Sequence, residues 1–269
     1  MIRDIRVLVV DKDPYVRNWI ALLVARDWRT HIAGEVGSIN DLALFIKDKK
    51  PRVDVLILEA ELAANDYSFK DFKEAISQLS HSPVILFWGL QPDDRVIKRL
   101  SQPNFKGYLL KDEIGNSLAW AAAIASGGDW VLTPSIQEAL FRLDLALPGK
   151  GVVIDGRNLI AELTDREAEV ARMAFIFSLD RHDLADELNI SKDWSYGLVS
   201  SVYNKLGLDE ILRGEVDPTA YLGSNELVLD HLRDIISQLK GSSKARDIET
   251  LAFHIFTMPE IETFHLNES

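Results

Sequence analysis

The sequence contains no cysteine among its 269 residues. This absence excludes disulfide frameworks, thiolate zinc sites and cysteine nucleophiles, and it suits a reducing compartment. Long hydrophobic runs are also missing, since the most sustained one, 118–125, is far shorter than the roughly 20 residues of a membrane helix. The first residues lead directly into a strand-like segment without a basic-then-apolar signal region. We therefore expect a cytoplasmic protein with no membrane partner.

An excess of positive charge is missing as well. The formal net charge of −12 argues against a general polyanion binder, because an acidic surface repels phosphate groups. It leaves room for a local basic surface that reads DNA. The hydrophobic fraction of 47% is enough to build real cores, and the length predicts one or two domains.

The first half of the sequence alternates short apolar runs with amphipathic stretches. We predict strands at 5–10, 31–36, 53–58, 84–88 and 107–110, each followed by a helix-period segment. This alternation predicts the α/β class, with a five-stranded, parallel, doubly wound sheet covered by helices on both faces. Ligand chemistry in such a sheet lies at the carboxyl ends of the strands. In this sequence that edge carries Asp11, Lys12, Asp13, Glu59, Trp88 and Lys111.

The second half is helical in pattern. Turn-rich and Pro/Gly-containing segments predict an interdomain linker across 128–158. Thr164 and Glu167 have the spacing of a capping box, which starts a helix. A short helix at 181–188 and a longer one at 191–206 then form a helix-turn-helix candidate. Two further amphipathic helices are expected at 225–240 and 244–256.

Two stretches of the sequence resemble response regulators of the NarL/FixJ type, which join a receiver domain to a LuxR-type helix-turn-helix. The first stretch includes 8–14 (LVVDKDP), 107–112 (GYLLKD) and 128–134 (GDWVLTP). The second includes 163–170 (LTDREAEV), 184–191 (LADELNIS) and 204–207 (NKLG). We therefore expect a receiver-like domain over 1–127, the linker over 128–158, a helix-turn-helix domain over 159–212 and a helical C-terminal extension over 213–269.

The resemblance implies a phosphorylation pocket that this sequence has altered. Family receivers are phosphorylated on an aspartate that ends the third strand, and two acidic residues after the first strand hold Mg²⁺. A Ser or Thr ends their fourth strand and a Lys ends their fifth. The residues at and beside these positions here are Asp11, Lys12, Asp13, Glu59 (the acceptor position), Trp88 (the hydroxyl position) and Lys111.

These replacements predict a receiver that works without phosphorylation. Lys12 adds a positive charge and offers no oxygen ligand, so we expect no metal. The carboxylate of Glu59 would lie roughly where a phosphoryl charge lies, paired with Lys111, Lys12 or both. The alternative is that these are ordinary ion pairs left after a function was lost. A third alternative is that the pocket senses a small molecule.

Tyr108 stands at the position of the family's aromatic switch residue, whose ring turns inward on phosphorylation. Trp88 would fill the space that this movement needs. Alternatively, Trp88 and Tyr108 would simply form a packed aromatic pair. Both interpretations predict a receiver that does not switch.

The resemblance also implies that the helix at 191–206 enters the DNA major groove. The residues expected to face DNA are Lys192, Ser195, Tyr196, Ser200, Asn204 and Lys205. Residues 160–214 contain six Lys and Arg but eleven Asp and Glu, which is a poor balance for contacting phosphates. The alternative is therefore a helix-turn-helix retained as a protein-binding module.

The apolar stripes of the last two predicted helices suit either core packing or a partner surface. The Ala-rich segment 118–125 raises the same question, and because family receivers often dimerise near there we expect a homodimer. The sequence shows no nucleotide-binding loop, no hydrolase motif and no zinc-protease motif. We expect no catalytic residue, no metal and no cofactor.

These observations predict an atypical, phosphorylation-independent response regulator that binds DNA as a dimeric transcriptional regulator. The alternative is a signalling adaptor whose degenerate helix-turn-helix and C-terminal helices bind a protein.

Overall fold

The computed structural model describes residues 4–156, 160, 163–217, 225–239 and 245–265. These residues fall into two units. The sheet unit is drawn from 3–157 and 259–269, and the helical unit is drawn from 158–258.

Eight described strands form one sheet in the sheet unit. They are Ile5–Val10 (β1), Thr30–Val36 (β2), Val55–Glu59 (β3), Val84–Gly89 (β4), Phe105–Leu110 (β5), Trp130–Leu132 (β6), Lys150–Asp155 (β7) and Glu260–His265 (β8). Their order across the sheet is β2-β1-β3-β4-β5-β6-β7-β8. Neighbouring strands are parallel except β8, which runs antiparallel to β7.

Helices connect these strands. They are Pro14–Arg26 (α1), Ile39–Lys49 (α2), Asp66–Ile76 (α3), Asp94–Ile97 (α4), Lys111–Ile114 (α5), Leu118–Ser126 (α6) and Pro134–Arg142 (α7), with 3-10 turns at Ala60–Ala63 and Lys98–Ser101. Local chemistry sets their starts: Asp13 caps α1 and Asn65 caps α3 through their side-chain oxygens. All five residues of β3 are buried, as expected for a parallel strand covered on both faces.

The α/β class and the doubly wound sheet are confirmed, but the expected strand count and linker are wrong. Residues 130–132 and 150–155 of the predicted linker form β6 and β7, which extend the sheet beyond β5. Apolar side chains explain this, because Val131 and Val152 are buried where the two strands pair. Gly107 permits the approach of β6 to β5, since a Cβ there would lie 2.1 Å from the carbonyl oxygen of Val131.

Helix α6 contains the Ala-rich segment that was considered as a dimer surface. Every residue from Leu118 to Ala125 is buried within the sheet unit. The segment is apolar on all sides because its small side chains pack inside the fold. It therefore cannot supply an exposed dimer contact.

The helical unit contains the predicted helix-turn-helix. Its helices are Asp165–Ala171 (α8), continued by a π-helical turn at Arg172–Ile176, then Arg181–Glu187 (α9), Lys192–Lys205 (α10), Leu208–Arg213 (α11), Glu226–Leu239 (α12) and Ala245–Phe256 (α13). Val170, Leu184 and Val199 lie in one apolar core with Leu232 and Leu251. The apolar stripes of α12 and α13 thus complete the core instead of forming a partner surface.

The expected all-helical extension is wrong at its end. Residues 260–265 form β8, and Val152 of β7 is paired with Thr263. The segment alternates apolar and polar residues, a strand pattern that the prediction did not use. Within the described residues, no helix combines the length and the hydropathy required to cross a bilayer.

Candidate functional site

The carboxyl ends of β1, β3, β4 and β5 bring together the residues predicted to form an altered phosphorylation pocket. Glu59 ends β3 beside Trp88 of β4, Asp11 follows β1, and Lys111 follows β5. Parallel strands place these ends at one edge of the sheet. The structure therefore groups the pocket residues as the sequence predicts.

Asp11 is fully buried and accepts three hydrogen bonds. The amide of Asp13 donates to its Oδ1 at 2.8 Å. The indole Nε1 of Trp88 and the Nζ of Lys111 each donate to its Oδ2 at 3.0 Å. A buried carboxylate needs such partners, so Asp11 is held by groups of this chain alone.

Glu59 is also buried and lies close to two lysines. The backbone amide of Lys12 donates to its Oε2 at 3.0 Å. The Nζ atoms of Lys12 and Lys111 lie 3.5 Å and 4.0 Å from its Oε1. The expected pairing of Glu59 with both lysines is therefore present, although the shorter ion pair of Lys111 is with Asp11.

Lys12 is half-exposed and bridges two carboxylates. Its Nζ contacts Glu61 as well as Glu59. The hydrogen bond to Glu61 is the main cause that raises the pKa of the Lys12 ammonium. The sequence reasoning did not select Glu61, although its position two residues after Glu59 was a usable signal.

The donor set does not fit the magnesium ion that the family resemblance implies. Asp11 is already bonded to an indole and an ammonium, and Lys12 places a cation beside Glu59. Asp13 caps α1, accepting from the amide of Tyr15 at 2.8 Å. In the described parts of the chain, no three His, Asp or Glu side chains group as metal ligands.

Tyr108 is buried and held in place. Its hydroxyl donates to the carbonyl of Gln91 at 2.7 Å, and its ring meets Phe87 edge-on at 6.0 Å. Burial raises the pKa of Tyr108. Trp88 faces Asp11 and Lys111 instead, with the Lys111 Nζ 5.1 Å from its ring. The ring of Tyr108 already lies inside, so the idea that Trp88 blocks its entry is wrong.

The start of the helix-turn-helix is built on the predicted capping box. Thr164 and Glu167 each bond the other's backbone amide. Glu167 also accepts from Lys205 at 2.7 Å and from Ser201 at 2.9 Å. The Lys205 hydrogen bond is the main cause that lowers the pKa of Glu167 to about 2. Glu167 thereby ties the start of α8 to α10.

Helix α10 exposes five of the six residues predicted to face DNA. Lys192, Tyr196, Ser200, Asn204 and Lys205 are exposed. Ser195 is buried, and its hydroxyl donates to the carbonyls of Arg181 and Lys192, so its prediction is wrong. The side chain of Ser195, one turn after the Ser191 cap, faces the preceding helix α9.

Lys205 is exposed, but its ammonium is engaged by Glu167. The predicted contact of Lys205 with DNA would therefore compete with an ion pair inside the unit. Trp194 is 54% exposed and Tyr196 is 58% exposed. The sequence analysis did not select Trp194 as a site residue, although a Trp in the first turn of the second helix of a helix-turn-helix was a usable signal.

No model of a known protein family matches the sequence. Three transcriptional regulatory proteins of Bacillus subtilis (strain 168) are similar to it. YdfI is 26% identical over 202 residues, covering 75% of this chain and 89% of YdfI. The uncharacterised YxjL is 24% identical over 194 residues, covering 70% of this chain and 83% of YxjL. LnrK is 22% identical over 221 residues, covering 81% of this chain and 97% of LnrK.

Solved response regulators are also similar in part. RcsB of Salmonella typhimurium superposes with a TM-score of 0.41 at 16% identity, covering 88% of this chain and 99% of RcsB. RcsB of Salmonella enterica serovar Typhimurium bound to a promoter gives 0.44 at 18% identity, covering 76% and 93%. TM-scores this low support no conclusion about this chain. The chain is thus similar in sequence to curated transcriptional regulatory proteins, and it has the doubly wound sheet and the helix-turn-helix that its resemblance to response regulators of the NarL/FixJ type predicts.

Proposed function

We propose that this protein regulates transcription in the cytoplasm by binding DNA through α10 as a homodimer, without phosphorylation of its sheet unit. The observation that carries the proposal is the group of exposed polar residues on α10, which is the second helix of the capped helix-turn-helix. The relatives reported above are all named as transcriptional regulatory proteins, and these names support a regulatory function instead of an enzymatic one.

Independence from phosphorylation follows from the chemistry of the pocket. Glu59 stands where the resemblance places the acceptor aspartate, and its carboxylate already faces two ammonium groups. Both carboxylate oxygens of Asp11 already accept hydrogen bonds, and the ammonium of Lys111 on Oδ2 would repel Mg²⁺. Lys12 and Lys111 supply positive charge in place of that metal. Glu59 then places a carboxylate near the position of a phosphoryl group.

The pocket proposal is tested by incubating full-length protein with acetyl phosphate and Mg²⁺ and measuring intact mass. We expect no phosphoryl adduct. A related response regulator that accepts phosphate serves as the positive control. A stoichiometric adduct on this chain would overturn phosphorylation independence and leave DNA binding as a separate question.

DNA binding through α10 would depend on few cations. Lys192, Tyr196, Ser200 and Asn204 are exposed donors or acceptors along one helix, and such groups bond phosphates and base edges. Acidic residues outnumber basic ones in this region. We therefore expect a shallow dependence of affinity on salt compared with strongly basic regulators, because fewer counterions are released.

The test is selection of bound duplexes from a random pool with full-length protein. We expect a paired half-site motif, as a symmetric dimer would give. Asn204→Ala should alter the preference for particular bases, and Lys192→Ala should weaken binding to all DNA sequences about equally. Lys47→Ala on the exposed surface of α2 is the matched control and should change neither. A pool without enrichment would overturn DNA binding.

A second function is favoured by one observation, the exposure of Trp194 and Tyr196 on α10. Exposed aromatic side chains are typical anchors of protein interfaces. In this adaptor proposal α10 binds a protein, while α12 and α13 remain in the core. An unenriched DNA pool, together with loss of regulation in cells on Trp194→Ala, would support it.

A further inference from the structure

The sheet unit contains a cationic cleft apart from the altered phosphorylation pocket. It lies between α3 and the segment formed by α4 and the following 3-10 turn, with a cavity volume of about 820 Å³. Five cationic side chains and one carboxylate line it: Lys70, Lys73, Arg95, Lys98, Arg99 and Asp66. This concentration of positive charge is unexpected in a chain of net charge −12.

Arg99 is the fixed element of this cleft. Its side chain is only 9% exposed, and its guanidinium lies 3.9 Å from the centre of the Phe69 ring. One terminal nitrogen donates to the carbonyl of Ala64 and to Asp66 at 3.2 Å and 3.0 Å. The other, Nη1, is buried and has no hydrogen-bond partner.

A buried N–H group without an acceptor is costly. An anionic oxygen in the cleft would supply the missing acceptor. The guanidinium suits phosphate, because it is always charged and its Nη1 carries two N–H donors. Packing on Phe69 holds the group in position before any ligand arrives.

Three exposed lysines line the cleft together with Arg99, and the Nζ of one of them, Lys73, lies 5.1 Å from the centre of the Phe69 ring. The described ion pairs join Arg95 to Asp93 and Arg99 to Asp66, and they leave Lys70, Lys73 and Lys98 unpaired. These ammonium groups are on flexible stems and can adjust to several oxygens. Tyr67, which is 85% exposed, adds an aromatic ring to the lining of the cleft.

We propose that this cleft binds a small molecule that carries two or more phosphate groups. Arg99 would bond one phosphate through Nη1, and the lysines would neutralise the remaining charge. The cavity volume lies in the range of small-molecule sites. Binding here involves neither Asp11 nor α10, so it stands or falls independently of the proposed DNA recognition.

The test is isothermal titration calorimetry of the full-length protein with pyrophosphate and with ADP, both without Mg²⁺. We expect saturable binding at one site. Lys98→Glu should weaken it at least tenfold, whereas Lys47→Glu, the same charge change on exposed α2, should change it less than twofold. Arg99→Lys retains the charge but loses the N–H donors of Nη1 and should also weaken binding, with thermal unfolding confirming that each variant folds.

Two results would support different forms of the ligand. Tighter binding of ADP than of pyrophosphate, reduced by Tyr67→Ala, would indicate a nucleotide. Equal binding of both would indicate recognition of the phosphates alone. Absence of saturable binding, equal weakening by Lys98→Glu and Lys47→Glu, or binding of duplex DNA alone in this cleft would overturn the proposal.

Discussion

Asp11 shows how neighbouring side chains set the chemistry at the carboxyl edge of the sheet. It follows β1, and its partners are an indole N–H, a lysine ammonium and a backbone amide. Both of its carboxylate oxygens are therefore engaged by donors of this chain. Its burial makes these hydrogen bonds important for stability, because an unpaired buried carboxylate is costly.

Trp88→Phe should therefore destabilise the sheet unit by about 1–3 kcal/mol, because it removes an N–H donor from a buried carboxylate. The free energy of unfolding in urea is the measurement. Trp194→Phe makes the same chemical change at a side chain that is 54% exposed, and it should cost much less. Equal losses for both variants would contradict the role assigned to the indole N–H.

Glu167 predicts a dependence of stability on pH. Its pKa is lowered to about 2 from an ordinary value of 4.5, chiefly by the hydrogen bond from Lys205. The ionised form is thus favoured in the folded state. Its contribution to stability is complete above about pH 4.5 and is lost as the pH falls toward 2.

Glu167→Gln should accordingly reduce the free energy of unfolding by about 1 kcal/mol at pH 7 and by progressively less below pH 4.5. Urea unfolding monitored by circular dichroism at several pH values measures this difference. Glu169→Gln, in a more exposed pair with Arg166, is the control. A difference between wild type and Glu167→Gln that stays constant with pH would contradict the prediction.

At the scale of elements, β6 depends on a single glycine of β5. Gly107 lies opposite Val131, and a Cβ at this position would come within 2.1 Å of the Val131 carbonyl oxygen. Backbone atoms cannot move away cheaply inside a paired sheet. The extension of the sheet past β5 is therefore possible only with glycine at 107.

Gly107→Ala should lower the melting temperature, with a loss of roughly 1–3 kcal/mol or more from overpacking. Gly197→Ala should instead raise the melting temperature. A Cβ at this position meets nothing within 4 Å, and alanine has a higher helix propensity than glycine. That gain is up to about 1 kcal/mol. Thermal unfolding of both variants tests the pair, and a stable Gly107→Ala protein would show that β6 adjusts more easily than the structure indicates.

At the scale of the molecule, the chain returns to the sheet at its end. β8 pairs antiparallel with β7 after the helical unit has been completed. The sheet unit thus contains segments that are far apart in sequence. Without β8, β7 would be an exposed edge strand, which promotes association between chains.

Ending the chain after Met258 should therefore lower the melting temperature and increase the fraction of aggregated protein. Size-exclusion chromatography with light scattering measures the second effect. Thr263→Ala, at an exposed residue of β8, retains the backbone pairing and is the control. A truncated protein that stays as stable and as well dispersed as the control would show that β8 is dispensable.

Sequence reasoning succeeded where neighbouring residues decide the outcome. The capping box at Thr164 and Glu167, the boundaries of α10 and the grouping of Asp11, Glu59, Trp88 and Lys111 all followed from local pattern and from strand order. It failed where a contact joins distant segments. Ser195 faces α9 instead of solvent. The apolar pattern of α10 is weak, so the sequence alone did not show which residues of this helix face inward.

The sequence by itself determined the α/β class and the capped helix-turn-helix, because these depend on residue identity and short-range spacing. Only the tertiary structure decided that 128–158 extends the sheet, that 118–125 is buried, and that Glu167 engages Lys205. Those outcomes depend on which surfaces meet in space. Hydrophobic burial and the pairing of backbone groups favour contacts between segments that are far apart along the chain. The local sequence pattern does not indicate which of these segments will meet.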